Sequence, residues 1–130
     1  MGVLGTKWTM TGPVYAGALA RQGLESLIPG ESMQEQLNNA IVDELCQGIF
    51  SNETTGLFLQ AIVDLKSRGA DCAVLGCTEI PLIITPANSP LPVLDSTRIL
   101  ARYAVAVAVD DQPISIKAGW LAGSGVWQRS

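Results

Sequence analysis

The run Cys72-Ala73-Val74-Leu75 is apolar without interruption and gives way at once to Gly76-Cys77-Thr78-Glu79. A strand with one wet face alternates apolar and polar residues. A continuous apolar run must instead be covered on both faces, which is the situation of a strand inside a parallel sheet layered by helices. Two further runs have the same form. Val3-Leu4-Gly5 leads into Thr6-Lys7-Trp8-Thr9, and Pro92-Val93-Leu94 leads into Asp95-Ser96. A fourth, Leu24 to Ile28, stops at the turn signal Pro29-Gly30.

Helical patterns fill the intervals. Gly12 to Arg21 predicts a short helix entered through Pro13. Ser32 followed by Glu35 has the form of a capping box, ahead of Leu37, Ile41 and Leu45 at helical spacing, with Gly48 as the stop. Ser51 or Asn52 can cap the next helix, in which Phe58, Ile62 and Leu65 share a face before Arg68-Gly69 ends it. Thr97 to Val109 is apolar nearly all round. Ala104 to Val109 alone alternates like a strand, but the full length favours a helix. Strands alternating with helices predict an α/β domain of three layers, with a short parallel sheet of about four strands. Ligands bind such sheets at the carboxyl ends of the strands. Three polar segments fall there: Gly5 to Thr9, Gly76 to Glu79, and Asp95 to Thr97.

Composition narrows the chemistry. Hydrophobic residues make up 48% of the 130 and charged residues only 15%, a balance suited to one folded domain whose surface is partly covered by another subunit or domain. The net charge is −4 and the cations are scattered, which predicts no nucleic-acid groove and no basic membrane patch. No apolar run spans a bilayer, and the first residues lack the basic-then-apolar layout of a signal peptide, so the expected location is the cytoplasm. Histidine is absent, which removes Ser-His-Asp and Cys-His nucleophile systems and imidazole metal sites. The three cysteines form no Cys-x-x-Cys pair, so neither a disulfide framework nor a zinc site is expected. Proton transfer near neutral pH then falls to a cysteine, lysine, tyrosine or carboxylate with a shifted pKa.

Cys77 is the residue best placed for it. A cysteine in a strand is ordinarily a small buried hydrophobe. This one is delivered to the strand's carboxyl end, after a glycine that lets the backbone approach a ligand and before a short helix that tolerates Pro81 in its first turn. Free amides at such a start favour a thiolate and a substrate carboxylate alike, and Thr78 can add its hydroxyl to that carboxylate. Lys7 can attract an anion or simply be solvated. Trp8 can shape the site mouth or pack. Asp43-Glu44 and Asp110-Asp111 read as surface charge.

Gly76-Cys77-Thr78-Glu79 resembles the second cysteine signature of the aspartate/glutamate racemase superfamily. Leu4-Gly5-Thr6-Lys7-Trp8-Thr9-Met10 resembles the G-T-x-x-T loop that opens that family's second domain. Asp43-Glu44-Leu45-Cys46-Gln47-Gly48 is similar to a segment of its broad-specificity amino-acid racemase branch, and Pro92 to Thr97 resembles the strand and turn before its last helix. The resemblance implies a flavodoxin-like half of a two-domain racemase over residues 1–109, with 110–130 as an unmatched tail. It implies proton transfer at the α-carbon of an amino acid or related carboxylate by two facing cysteines, with no cofactor and no metal. Cys77 matches one of the two. Gly76, Thr78, Glu79, Thr6 and Thr9 match substrate-binding positions.

The resemblance places the other cysteine in a first domain, in a Cys-x-Asn-Thr type motif that does not occur in these 130 residues. Cys72 is five residues before Cys77 along one strand, roughly 16 Å away at about 3.3 Å per residue, and cannot face it across one carbon. Cys46 is read as packing or lining the site rather than catalysis, and Cys46-Gln47 stands where some aspartate racemases carry a carboxylate-holding lysine. A homo-oligomer is expected, a dimer through the Thr97–Val109 helix. Two other functions fit the same residues: a one-cysteine relative of the arylmalonate decarboxylase type, and a non-catalytic remnant or small-carboxylate-binding module.

Overall fold

The structure, a computed structural model, describes residues 1–109. Three of the apolar runs are strands: β1 (Gly2–Leu4), β2 (Ala73–Leu75) and β3 (Val93–Asp95). They pair in parallel in the order β1-β2-β3, so β2 is central, and all three of its residues are buried. About four strands were expected, but Leu24–Ile28 contributes only an isolated parallel bridge, Gly2 to Leu27. Leu27 exchanges backbone hydrogen bonds with Met1 (2.8 Å) and Val3 (2.9 Å). The next donor on that side would be residue 29, a proline with no N–H, and the ladder stops.

Helices α1 (Lys7–Thr11) and α2 (Pro13–Ala20) follow β1. Then come α3 (Glu31–Asn39), a π turn (Ala40–Glu44), a 3-10 turn (Leu45–Gln47) and α4 (Asn52–Ser67) before β2. A 3-10 turn (Ile80–Leu82) lies between β2 and β3, and α5 (Ser96–Val109) starts directly after β3. The α/β class with a short parallel sheet flanked by helices is therefore the observed architecture. The last apolar segment is a helix, as its length favoured.

Local signals account for most helix ends. Pro13 sits in the first turn of α2, Ser51 caps α4 by accepting from the Thr54 amide, and Gly48 and Gly69 take positive φ where helices stop. The Ser32–Glu35 capping box does not form. The helix begins two residues earlier, after Gly30 rather than after Ser32, and buried Gln34 reaches back to donate to the Pro29 carbonyl at 2.6 Å. The segment read as a polar loop after β1 contains α1, capped by the Thr6 hydroxyl.

In the unit Met1–Ile99, one core joins α3, the π turn, α4 and the sheet: Leu4, Leu37, Ile41, Phe58, Ile62, Leu65, Leu75, Ile80 and Ile84 are all fully buried. Residues four apart drift around an α-helix by part of a turn. The wider π turn takes that drift back, so Leu37, Ile41 and Leu45 all reach the core. It also places Glu44 as an acceptor for the Ser51 hydroxyl (3.2 Å) and the Thr54 hydroxyl, tying the turn to the start of α4. Glu44 is thus a structural acceptor, whereas its neighbour Asp43 is exposed as read from sequence. The remainder of α5, from Leu100, belongs to a second unit, and no residue of α5 is buried. Among the described residues no helix is long and apolar enough to cross a membrane. Asp110-Asp111 and the tail 110–130 lie outside the described residues.

Phe58 has no exposed surface. Phe58→Ala is expected to lower unfolding free energy by about 3–5 kcal/mol, read from urea denaturation with an unchanged m-value.

Candidate active site at the carboxyl ends of the strands

The strand register decides which loops meet. Leu4 pairs with Leu75, and Leu75 pairs with Asp95. Gly5, Gly76 and Ser96 therefore leave the sheet side by side. The Gly76 amide donates to the Leu4 carbonyl at 2.7 Å, extending the ladder one residue past the strand, and the Ser96 hydroxyl donates to the Leu75 carbonyl at 2.8 Å.

Both glycines are needed for close approach. A Cβ on Gly5 would lie 2.8 Å from Thr9 Cγ2, and one on Gly76 would lie 2.9 Å from the same atom, 3.0 Å from the Leu4 oxygen and 3.1 Å from Tyr15 Cε2. Thr9 thus sits over the ends of two strands, held by α1. Its hydroxyl is 3.0 Å from that of Thr6, and its amide donates to Thr6 Oγ1 at 3.4 Å. The two threonines read from sequence as a pair do meet, at the strand end that carries Cys77. Tyr15 was not foreseen; nothing at residue 15 marks it until α2 is folded back over Gly76.

Cys77 is half-buried and packed against the core, while fully buried Ile80 pins the turn behind it. Its thiol donates to Glu79 Oε2 at 2.8 Å, and the Thr78 hydroxyl donates to Glu79 Oε1 at 2.5 Å. Burial is the main cause pushing the Cys77 pKa up to about 11, and the hydrogen bond to Glu79 adds to it. The charges of Glu79 and of Cys46 act in the same direction, and the Glu79 backbone amide opposes them. Glu79 is held below the usual carboxylate range, first by the Cys77 thiol and then by Thr78. The sequence pattern led us to expect a favoured thiolate. The amide expected to favour it is present, but only a single 3-10 turn follows, and burial with the carboxylate outweighs it. At neutral pH Cys77 is a thiol.

Other candidates are placed elsewhere. Cys72 precedes β2, at the end of that strand opposite Cys77, and its pKa is raised by burial and by Asp71. Cys46 is exposed in the turn after α3, yet near enough for its charge to act on Cys77, a proximity that sequence distance conceals. Lys7 stands 4.0 Å from Glu35 with both side chains exposed, an ordinary surface pair, and Trp8 is 83% exposed. Asp95 accepts from the Arg98 amide at 2.9 Å and so caps α5. Among the described residues, no three metal-ligating side chains converge.

Comparison with known proteins agrees with this arrangement. The Asp/Glu/hydantoin racemase family matches residues 1–104. A glutamate racemase of Synechococcus sp. (strain CC9605) is 30% identical over 120 residues, covering 88% of this chain and 43% of that protein. A glutamate racemase of Roseiflexus sp. (strain RS-1) is 28% identical over 129 residues, covering 95% of this chain and 45% of that protein. A crystal structure assigned to the Asp/Glu racemases, from Yersinia pestis, superposes with a TM-score of 0.79 at 34% identity over 84% of this chain and 48% of that one. An aspartate racemase homologue from Pyrococcus horikoshii OT3 gives 0.76 at 34% identity, with the same coverage of 84% and 48%. The chain spans less than half the length of each of these relatives.

Gly76→Ala is expected to cost about 1–3 kcal/mol in thermal denaturation, because its methyl meets backbone as well as side chains. Adding Thr9→Ser, which deletes the Cγ2 atom, should recover part of that loss. A strictly additive double variant would disprove the contact.

Proposed function

The chain belongs to the Asp/Glu/hydantoin racemase family, and on that footing we propose that it supplies Cys77 as one of two proton-transfer groups of a racemase or epimerase that acts at the α-carbon of an amino acid, or a related carboxylate, without a cofactor. The observation that carries this reading is Cys77 itself: a half-buried, neutral thiol at the end of the central strand, next in the chain to Gly76, over which Thr9 sits.

The proposed chemistry follows from that state. A base on one face of the substrate takes the α-proton, and the C–H electron pair stays on carbon. Cys77 gives its proton to the opposite face, keeping the S–H pair as thiolate, so configuration inverts with no net change in composition. A neutral thiol is the form that can donate. The hydroxyls of Thr6, Thr9 and Thr78 and the backbone at Gly76 are the proposed contacts for the substrate carboxylate. Glycine leaves room for that backbone approach.

The partner base comes, in this proposal, from outside the described unit, in keeping with a chain that spans less than half of its relatives. A further polypeptide segment or a second copy of the chain would bring it. The unburied residues of α5, among them Ile99 and Leu100, favour a cover of either kind, including a homodimer through this helix. The cytoplasm is the proposed place of action. A neutral thiol as the single proposed proton-transfer cysteine equally suits a one-cysteine proton donor of the decarboxylase type, and a half-length chain suits a carboxylate-binding module without turnover.

Incubation with L-amino acids in deuterium oxide separates these readings. Loss of the α-proton NMR signal is expected, and Cys77→Ser should slow it by about 10²-fold or more. Exchange that persists in Cys77→Ser would refute the role given to this residue. Binding heat in calorimetry with no exchange at all would leave the binding module.

A further inference from the structure

Among the described residues, Glu79 is the one carboxylate in contact with the Cys77 thiol, and both of its oxygens are engaged. One oxygen takes the thiol proton's hydrogen bond at 2.8 Å and the other takes the Thr78 hydroxyl at 2.5 Å. The turn cannot swing away freely, since Ile80, the next residue, is fully buried. Of the titratable groups that act on Cys77, Glu79 comes from its own turn and Cys46 from the turn after α3.

We infer that Glu79 is a positioning residue that anchors the Cys77 sulfur and holds it in its proton-bearing form, so that Cys77 meets the substrate as the acid of the pair. This rests on the proton-transfer role proposed for Cys77. A carboxylate beside a thiol disfavours the thiolate, because two negative charges then share a poorly solvated site, and a hydrogen bond from S–H to carboxylate stabilises the neutral form. The raised pKa of Cys77 accords with both effects. After Cys77 donates, its thiolate faces the same carboxylate, and that repulsion drives reprotonation from solvent or by reverse transfer.

The test reads the thiol directly and needs no turnover. Iodoacetamide alkylation of the full chain is followed against pH, with the peptides of Cys46, Cys72 and Cys77 quantified separately by mass spectrometry. In Glu79→Gln, which keeps shape and loses charge, the Cys77 profile is expected to move down by about one pH unit, so that its rate at about pH 8.5 rises about tenfold. Glu79→Asp, which keeps a charge on a shorter stem, should fall between the parent and the Gln variant. A Cys77 rate that changes by less than about twofold in Glu79→Gln would overturn the inference. So would Glu79→Asp behaving like Glu79→Gln, or the three cysteines accelerating together, which reports unfolding. Absence of α-proton exchange would defeat the racemase reading and leave this result standing, so the two failures are separable.

Discussion

The hydrogen bond from the Gly76 amide to the Leu4 carbonyl, at 2.7 Å, carries the parallel pairing one residue beyond the strands. Everything at the candidate site is hung from it. With side chains on Gly5 or Gly76 the loop bearing Thr9 would be pushed off the strand ends. With them absent, Thr9 and Tyr15 come down over Gly76, the residue that precedes Cys77. The conformational freedom of glycine is not what matters here, since neither residue has positive φ; the missing volume is.

The second organising feature is electrostatic. A thiol at a strand end with free amides behind it is usually read as a thiolate. Here burial and a neighbouring carboxylate reverse the sign, and the thiol keeps its proton. The role proposed for Cys77 rests on that reversal, since a neutral thiol is the form that can donate a proton.

Much of this was legible in the order of residues, and for local reasons. The three runs that became β1, β2 and β3 are continuous and apolar, and that pattern implies cover on both faces wherever it occurs. Gly48, Gly69, Pro13 and Ser51 act within a few residues of themselves, so their effects are readable from neighbours. The exceptions have equally concrete causes. Leu24–Ile28 looked like a strand, but Pro29 removes the donor a longer ladder needs. Ser32 looked like a cap, but Gln34 reached the Pro29 carbonyl and the helix began earlier.

The family, the parallel α/β class and the cysteine at the carboxyl end of the central strand are therefore written in linear motifs, each set by periodicity or by residues adjacent in the chain. The state of that cysteine is not. Its depth of burial, the reach of Glu79, the proximity of Cys46 and the contact of Tyr15 with Gly76 depend on which segments the sheet register brings together. Distances in space between residues far apart in sequence follow from packing, and a pKa is the sum of such distances. For that reason a sequence could locate the thiol at its strand end while the fold alone settled that it is protonated.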